Sequence, residues 1–467
     1  MTVLPPDCST RRDDKVIGIA PMLAITTREF RQLMRILSKR VTLWTEMVVD
    51  ATILNTDDLD NHLAYEETNS HPIVCQIGGS NPETISQAIA KVVSFGYDEI
   101  NINMGCPSHL VGRQNFGAIL MKQCKEAQQI VRAMKEATQQ FPNVKISVKC
   151  RIGVDEFDSL EYMVNFIQQL KPYCQIFYLH ARKCLLGWTT KQNRAIPPLN
   201  YPRVYELCRR FPDCDFHING GIPDLQAAKD LIFGIDDDDD EVDLQLHRVP
   251  CEICQFPNGS CIAPLRTPPP NLKGCLLGRV ARDNPCFLWD IDRFFYGEAR
   301  NPCQNRLQVI SEYLKYLESV LPRRCCDTDP RETVKIPSFS VQTDYTCCPN
   351  CADFYFGDDK KIAPSMDYGG TRPKISPYVF GRALRPLLGI LNGVPKSRKF
   401  RKEFDRMVHN EIHHRNCGPS VTIWRALQVI DTKDLEKEFE KIEDMKLPSL
   451  RNRYCRSIDC CNGVKRW

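Results

Sequence analysis

The chain has 467 residues, a hydrophobic fraction of 42% and a formal net charge of +4. Such a length suits two domains, or one large barrel with an appendage, and the apolar content supports a packed core. So small a net charge excludes a uniformly basic coat, so any nucleic-acid partner has to be met by a local patch. Residues Met1–Lys15 are polar and lack an apolar h-region, and no run approaches the roughly 18 apolar residues of a membrane span. A soluble, cytoplasmic protein without a membrane partner is therefore expected, with an unusual organelle address left open. Its 24 cysteines, in a large chain without a secretory signal, read as reduced thiols, with metal ligation as an option.

Short apolar runs alternate with amphipathic helical patterns over the first two-thirds. Strands are expected at Val16–Ala20, Leu43–Met47, Ile73–Ile77, Glu99–Asn103, Lys145–Cys150, Gln175–His180, Asp215–Asn219 and Gly274–Gly278. Helices are expected between them, among others at Pro82–Phe95, Lys122–Gln139, Ser159–Leu170, Tyr201–Phe211 and Asp224–Phe233. Eight such units predict an α/β fold, a (β/α)8 TIM barrel, against the alternative of an open doubly wound sheet. The division read from the sequence is an N-terminal tail (1–15), the barrel (16–300) with an insertion at 235–272, a helical domain (301–430) with an insertion at 322–374, and a C-terminal tail (431–467). Within the helical domain, patterns run over Gln304–Val320, Ser376–Leu391, Ser397–Ile412 and Ser420–Val429.

The chemistry-bearing residues fall at strand C-terminal ends. In Asn101-Ile102-Asn103-Met104-Gly105-Cys106-Pro107-Ser108, two amides share one face of a strand, Gly105 permits a turn, and Pro107 fixes its exit. Cys106 is presented at the tip. Pro21, Met22 and Leu23 offer backbone and an apolar side chain to a planar ring. Gln76 can donate and accept at a heterocycle edge. Lys149 can stabilise negative charge on a reduced ring. His180, Asn219, Gly220, Gly221, Gly278 and Arg279 complete the set, the glycine turns after the last two strands being where a barrel commonly holds phosphate. Taken singly, each has a structural explanation: a plain turn, a solvated lysine or a satisfied barrel histidine. Together they predict a phosphorylated, redox-active ring, which FMN fits.

The segments Ala20-Pro21-Met22-Leu23, Thr45-Glu46-Met47, Gln76-Ile77-Gly78-Gly79, Asn101–Ser108, Val148–Gly153, His180–Lys183, Ile196-Pro197-Pro198-Leu199 and Asn219–Gly221 resemble tRNA-dihydrouridine synthases. Within these, the chain resembles the bacterial A-type branch, which acts on D-loop uridines 20 and 20a. The likeness covers nearly all of Val16–Gly297 and returns more weakly over Ser376–Ile430. It implies FMN held by Pro21–Leu23, Gln76, Lys149, His180, Asn219–Gly221, Gly278 and Arg279, NADPH as reductant, and Cys106 as the acid that protonates C5 of the uracil. A thiol of ordinary pKa is mostly protonated at neutral pH and can do so. For tRNA it implies contacts from Asn103, Arg182, Lys183, Lys191 and Arg194 near the mouth. The basic helix carrying Lys396, Arg398, Lys399 and Arg401 adds phosphate contacts, and a monomer is expected.

The chain departs from the family pattern at Ala24 and Thr27, where acidic residues are usual, and over His109–Asn115. The cysteine-rich insertions lie outside it as well. Cys251/Cys254 and Cys348/Cys351 have zinc-ligand spacing, which makes a structural zinc an option beside free thiols, and no metal ligand is assigned. Two other functions fit less of the sequence: a different FMN barrel acting on a small substrate, and a non-catalytic tRNA-binding factor.

Overall fold

A computed structural model describes residues 15–66, 69–108, 115–234, 267–321, 377–409 and 426–445, with 334–335, 346–347, 423 and 447 besides. Eight parallel strands carry the fold: β1 (Val16–Ile19), β2 (Leu43–Val49), β3 (Ile73–Gly78), β4 (Glu99–Met104), β5 (Lys145–Arg151), β6 (Ile176–His180), β7 (Asp215–Asn219) and β8 (Leu272–Leu277). They are ordered β1-β8-β7-β6-β5-β4-β3-β2, and the remaining edges meet through a parallel bridge between Gly18 and Thr42. Ile19 N donates to Thr42 O and Thr42 N to Ile17 O, both at 2.9 Å. That seam closes the barrel and removes the open-sheet alternative. It is short because Gly18 sits against Trp44 and Leu276, where even one added carbon would overlap the leucine.

Strand alternation separates two apolar layers. Ala20, Trp44, Val74, Tyr178 and Leu276 pack inside the barrel, with Ile176 against them. The opposite faces of the strands meet the surrounding helices in the main core. Because inward positions on β3, β4 and β5 are polar above this plug, the barrel interior becomes a hydrogen-bonding surface toward its C-terminal mouth.

Helices start where the sequence supplies caps. They include α1 (Arg28–Leu37), α2 (Pro82–Val92), α3 (Cys124–Ala137), α4 (Leu160–Leu170), α5 (Thr190–Ala195), α6 (Tyr201–Arg210) and α7 (Leu225–Phe233). Asn81 Oδ1 accepts from Glu83 N at 2.8 Å ahead of Pro82, Ser159 caps Tyr162 N at 3.1 Å, and Asp224 caps Ala227 N at 2.9 Å. After β8 come α8 (Arg279–Asp283), α9 (Arg306–Val320), α10 (Pro377–Leu384), α11 (Ser397–His409) and α12 (Thr432–Glu436).

The helical pattern at Ser376–Leu391 forms two pieces, α10 and a short turn at Leu387–Ile390, broken at Pro386, which has no N–H to continue the ladder. Within the segment read as a tail, Leu435 is buried, Phe439 N donates to Gln304 O at 2.9 Å, and Ile442 N donates to Asp290 Oδ2 at 2.9 Å. A short antiparallel ribbon pairs Val334–Lys335 with Thr346–Cys347. The departures at 109–114 and the cysteines Cys251, Cys254, Cys348 and Cys351 lie outside the described residues. Among the described residues no helix is long and apolar enough to cross a membrane, and no group of three or more His, Cys, Asp or Glu could hold a metal ion. Cys75, Cys150, Cys174, Cys184, Cys208, Cys214, Cys275, Cys286 and Cys303 are buried free thiols, and Cys106 and Cys124 are half-buried free thiols.

Candidate active site

The turn after β4 is built from its own strand. Asn103 Oδ1 accepts from Gly105 N at 3.1 Å and from Cys106 N at 2.9 Å, bending the chain back over the strand end. Cys106 O accepts from Ala118 N at 3.0 Å, which ties the far side of the turn. From β5, Arg151 Nε donates to Gly105 O at 3.0 Å. A side chain at Gly105 would sit tight against the backbone of Lys149 and Cys150, at 3.3 to 3.4 Å, so glycine gives the turn its close fit. Burial pushes the Cys106 thiol up, while Ser108, Arg151 and Lys149 pull the other way. The thiol therefore stays protonated at neutral pH, and any thiolate formed has two cations beside it.

Inward-facing residues of β3, β4 and β5 continue the polar surface. Asn103 Nδ2 donates to Gln76 Oε1 at 2.9 Å, and Gln76 Nε2 donates to Asn101 Oδ1 at 2.8 Å. Gln76 is only 1% exposed and spends both ends of its amide in this way, keeping one amide proton for a ligand. Asn103, expected at tRNA, is likewise committed, through two hydrogen bonds to the turn and one to Gln76, and keeps one amide proton.

Across the mouth, Lys149 Nζ donates to Asn219 Oδ1 at 3.2 Å, and Asn219 Nδ2 is anchored on Leu276 O at 2.9 Å. Strand register sets Arg151, His180 and Asn219 at one level on β5, β6 and β7. Gly220 has φ 111° and Gly221 φ 68°; a side chain on the first would overlap the His180 ring, and on the second, Leu199. Gly278 is different, having only Ala20 Cβ near at 3.8 Å, so space is open above it. Pro21 and Met22 are half-buried and Leu23 is 72% exposed. The turn they form is held by Thr26 and Glu46, the latter accepting from Ala24 N at 2.5 Å. Thr27, one of the departures, caps α1.

The electrostatics of this wall are one-sided. Burial lowers Lys149 to about 8, with Arg151 adding to the fall. Burial, then Arg151, Lys149, Arg182 and Arg279, keep His180 well below its usual value, so the ring is neutral. Arg194 is lowered by burial and by Arg279 and Arg282. The charges that weigh most on His180 and Arg194 are all cationic. A dianionic phosphate is the group such a field lacks, and the open space at Gly278, the glycine backbone and Arg279 fit it. The residues present therefore fit a phosphorylated flavin.

The other basic residues differ among themselves. Arg182 is tied to Pro197 O, and Lys183 is ion-paired with Asp158 at 2.9 Å. Lys191 is exposed on α5. Lys396, Arg398, Lys399 and Arg401 are exposed at the start of α11, whose Phe400 and Phe404 are buried. The segment leading into α11 is joined to α8 by Asn392 Nδ2 to Asp283 O at 2.8 Å. Sequence reasoning passed over Arg151 as a site residue. Its signal was the alternation Lys149-x-Arg151, which puts two cations on one inward face. Arg151, 3% exposed, has no carboxylate partner among the described residues and holds Gly105, Lys183 and Asn193 by their carbonyls.

Comparison with known proteins points to one family. A family model described as dihydrouridine synthase matches residues 18–234. A tRNA-dihydrouridine(20/20a) synthase of Vibrio parahaemolyticus serotype O3:K6 is 35% identical over 310 residues, covering 66% of this chain and 81% of that protein. The protein of that name from Escherichia coli strain K12 is 35% identical over 307 residues, covering 65% of this chain and 76% of its own.

Proposed function

The chain belongs to the dihydrouridine synthase family, and from that premise we propose that it reduces uridine to 5,6-dihydrouridine in tRNA, at D-loop positions 20 and 20a. FMN is the proposed cofactor and NADPH the source of reducing equivalents. Pro21, Met22, Leu23, Gln76, Lys149, His180, Asn219, Gly220, Gly221, Gly278 and Arg279 would hold the flavin, the last five around its phosphate side and Lys149 toward the ring. When bound, a reduced flavin supplies the hydride that C6 of the uracil accepts. Cys106 supplies the proton to C5, so one hydride and one proton saturate the C5–C6 bond. The thiolate left behind is stabilised by Arg151 and Lys149 until solvent returns its proton. Asn103 and Arg151 hold the turn still while this happens. Arg182, Lys183, Lys191 and Arg194, with the basic start of α11, position the tRNA, whose target base must leave its stack to reach the thiol.

The observation that carries this reading is the Cys106 turn. It is a protonated thiol, fixed from both sides, at a barrel mouth whose opposite wall is rich in cations. The test is anaerobic. Protein reduced with NADPH should be reoxidised by unmodified tRNA and not by free uridine, with dihydrouridine formed at positions 20 and 20a. Cys106→Ala should lose at least about 100-fold in turnover while tRNA affinity stays within twofold. Reoxidation by a small pyrimidine alone, or full turnover by C106A, would overturn the assignment.

A further inference from the structure

One line of hydrogen bonds crosses the barrel interior, and its direction is forced from the upper end. A backbone N–H can only donate, so the atom of Asn103 that accepts from Gly105 and Cys106 must be its oxygen. Asn103 Nδ2 then donates to Gln76 Oε1 at 2.9 Å, Gln76 Nε2 to Asn101 Oδ1 at 2.8 Å, and Asn101 Nδ2 to Ser147 Oγ at 2.7 Å. The Ser147 hydroxyl donates in turn to Glu99 Oε1, and Tyr178 donates to Glu99 Oε2 at 3.1 Å. Each link dictates the next, so the line needs an acceptor at its foot.

Glu99 lies four residues below Asn103 on β4, about 13 Å along the strand. It lines a cavity of about 360 Å³ at the N-terminal mouth, with Tyr178, His217, Lys145 and Lys273. It is 7% exposed, and burial pushes it up to about 7. Neighbouring inward positions are filled by Val74 and Leu276, so packing alone would be served by an apolar side chain. An apolar residue at 99 would leave the buried Ser147 hydroxyl without its acceptor and the line of amides above it without an anchor at its foot.

We propose that Glu99 is a positioning residue for the Cys106 turn: as terminal acceptor, it anchors the foot of the line whose upper end, the Asn103 amide, holds Cys106 in place. This rests on the role given to Cys106 above. It acts by geometry through four intermediate side chains, and it touches neither substrate nor cofactor. Misplacing a reacting group by about 1 Å can cost on the order of 100-fold in rate.

The test compares Glu99→Gln, Glu99→Leu and Ser147→Ala in the full-length, flavin-loaded protein. Two quantities are read: turnover of unmodified tRNA, as kcat and KM, and the rate at which iodoacetamide alkylates Cys106, followed on its own peptide by mass spectrometry. E99Q keeps an oxygen for Ser147 and offers its N–H to Tyr178, so both readouts should stay within twofold of wild type. E99L should lower kcat at least tenfold with KM for tRNA within twofold, and change the alkylation rate at least threefold. S147A cuts the line one link above Glu99, keeping the carboxylate but removing its bond to the serine, and should reproduce E99L, which covers an E99L variant that does not fold. A folded E99L or S147A with wild-type alkylation and kcat would overturn the proposal, as would an E99Q as damaged as E99L. Should wild-type protein fail to reduce tRNA, the reaction falls, while the alkylation rates still decide the line.

Discussion

Lys149 is charged in a place that disfavours charge, and its consequence has a definite sign. Its pKa in the fold is about 8 against an ordinary 10.5, so between those values the unfolded chain binds the extra proton. Stability from this group is present above pH 10.5 and is lost as pH falls through 8. In flavin-free protein, the urea midpoint of wild type should therefore rise relative to Lys149→Met between pH 7.5 and 10; a constant difference would refute the buried-ammonium reading. Glu99 has the opposite sign. With a folded value of about 7 against 4.5, its contribution is complete below pH 4.5 and is lost as pH rises through 7. Glu99→Gln does not titrate, so it should gain on wild type across that window by roughly 2–3 kcal/mol at most, using about 1.4 kcal/mol per unit. Urea unfolding at pH 5 and pH 7.5 reads the change. Gly220→Ala is a steric case: with φ at 111° and His180 in the way, flavin content should fall at least about tenfold while the far-ultraviolet circular dichroism is kept.

Elements that only hold the barrel should behave differently from those that aim at its mouth. Arg35, near the end of α1, is 1% exposed and donates to Ser38 O, Lys39 O, Val41 O and Ser70 O at 2.6 to 3.1 Å. That loop feeds β2, where Thr42 makes the seam with β1. Arg35→Met strands four carbonyls and should cost about 2–4 kcal/mol in urea unfolding, with kcat of the folded fraction unchanged. A kcat that fell in step with stability would tie this loop to the site. The same division explains what could be read from the sequence. Strand ends such as Asp215–Asn219 and Ile73–Gly78 were legible because β-branched or apolar runs stop at asparagine or glycine. Cys106 was legible because a cysteine between glycine and proline has few structural uses. Arg151 and Glu99 were not, since their work lies in partners on other strands that become neighbours only through parallel register. The break at Pro386 was missed because the apolar spacing continues straight across it.

At the scale of the whole molecule, the net charge of +4 leaves tRNA affinity to local basic surfaces, and the start of α11, where Lys396, Arg398, Lys399 and Arg401 are exposed, is such a surface. Phe400 and Phe404 are buried, fixing the helix with Arg398, Lys399 and Arg401 outward, while Asn392 ties its approach to α8, next to Arg279. On the function proposed above, the mouth would receive the target nucleotide and α11 would meet backbone phosphates. Phosphate contacts release counterions, so each one lost should flatten the salt dependence of binding by about 0.7–0.9 in log–log slope. The combined change of Lys396, Arg398, Lys399 and Arg401 to alanine should thus weaken tRNA binding by roughly 10–100-fold near physiological salt and reduce the slope by about 3. Because none of the four bonds to the Cys106 turn, kcat at saturating tRNA should stay within about twofold. Lys135→Ala, on the outer helix α3, is the matched control and should leave both slope and affinity unchanged. Binding measured between 50 and 300 mM salt separates the cases. An unaltered slope in the quadruple variant would mean that α11 is a solvated basic face, and would return the whole of the affinity to Arg182, Lys191, Arg194 and their neighbours at the mouth.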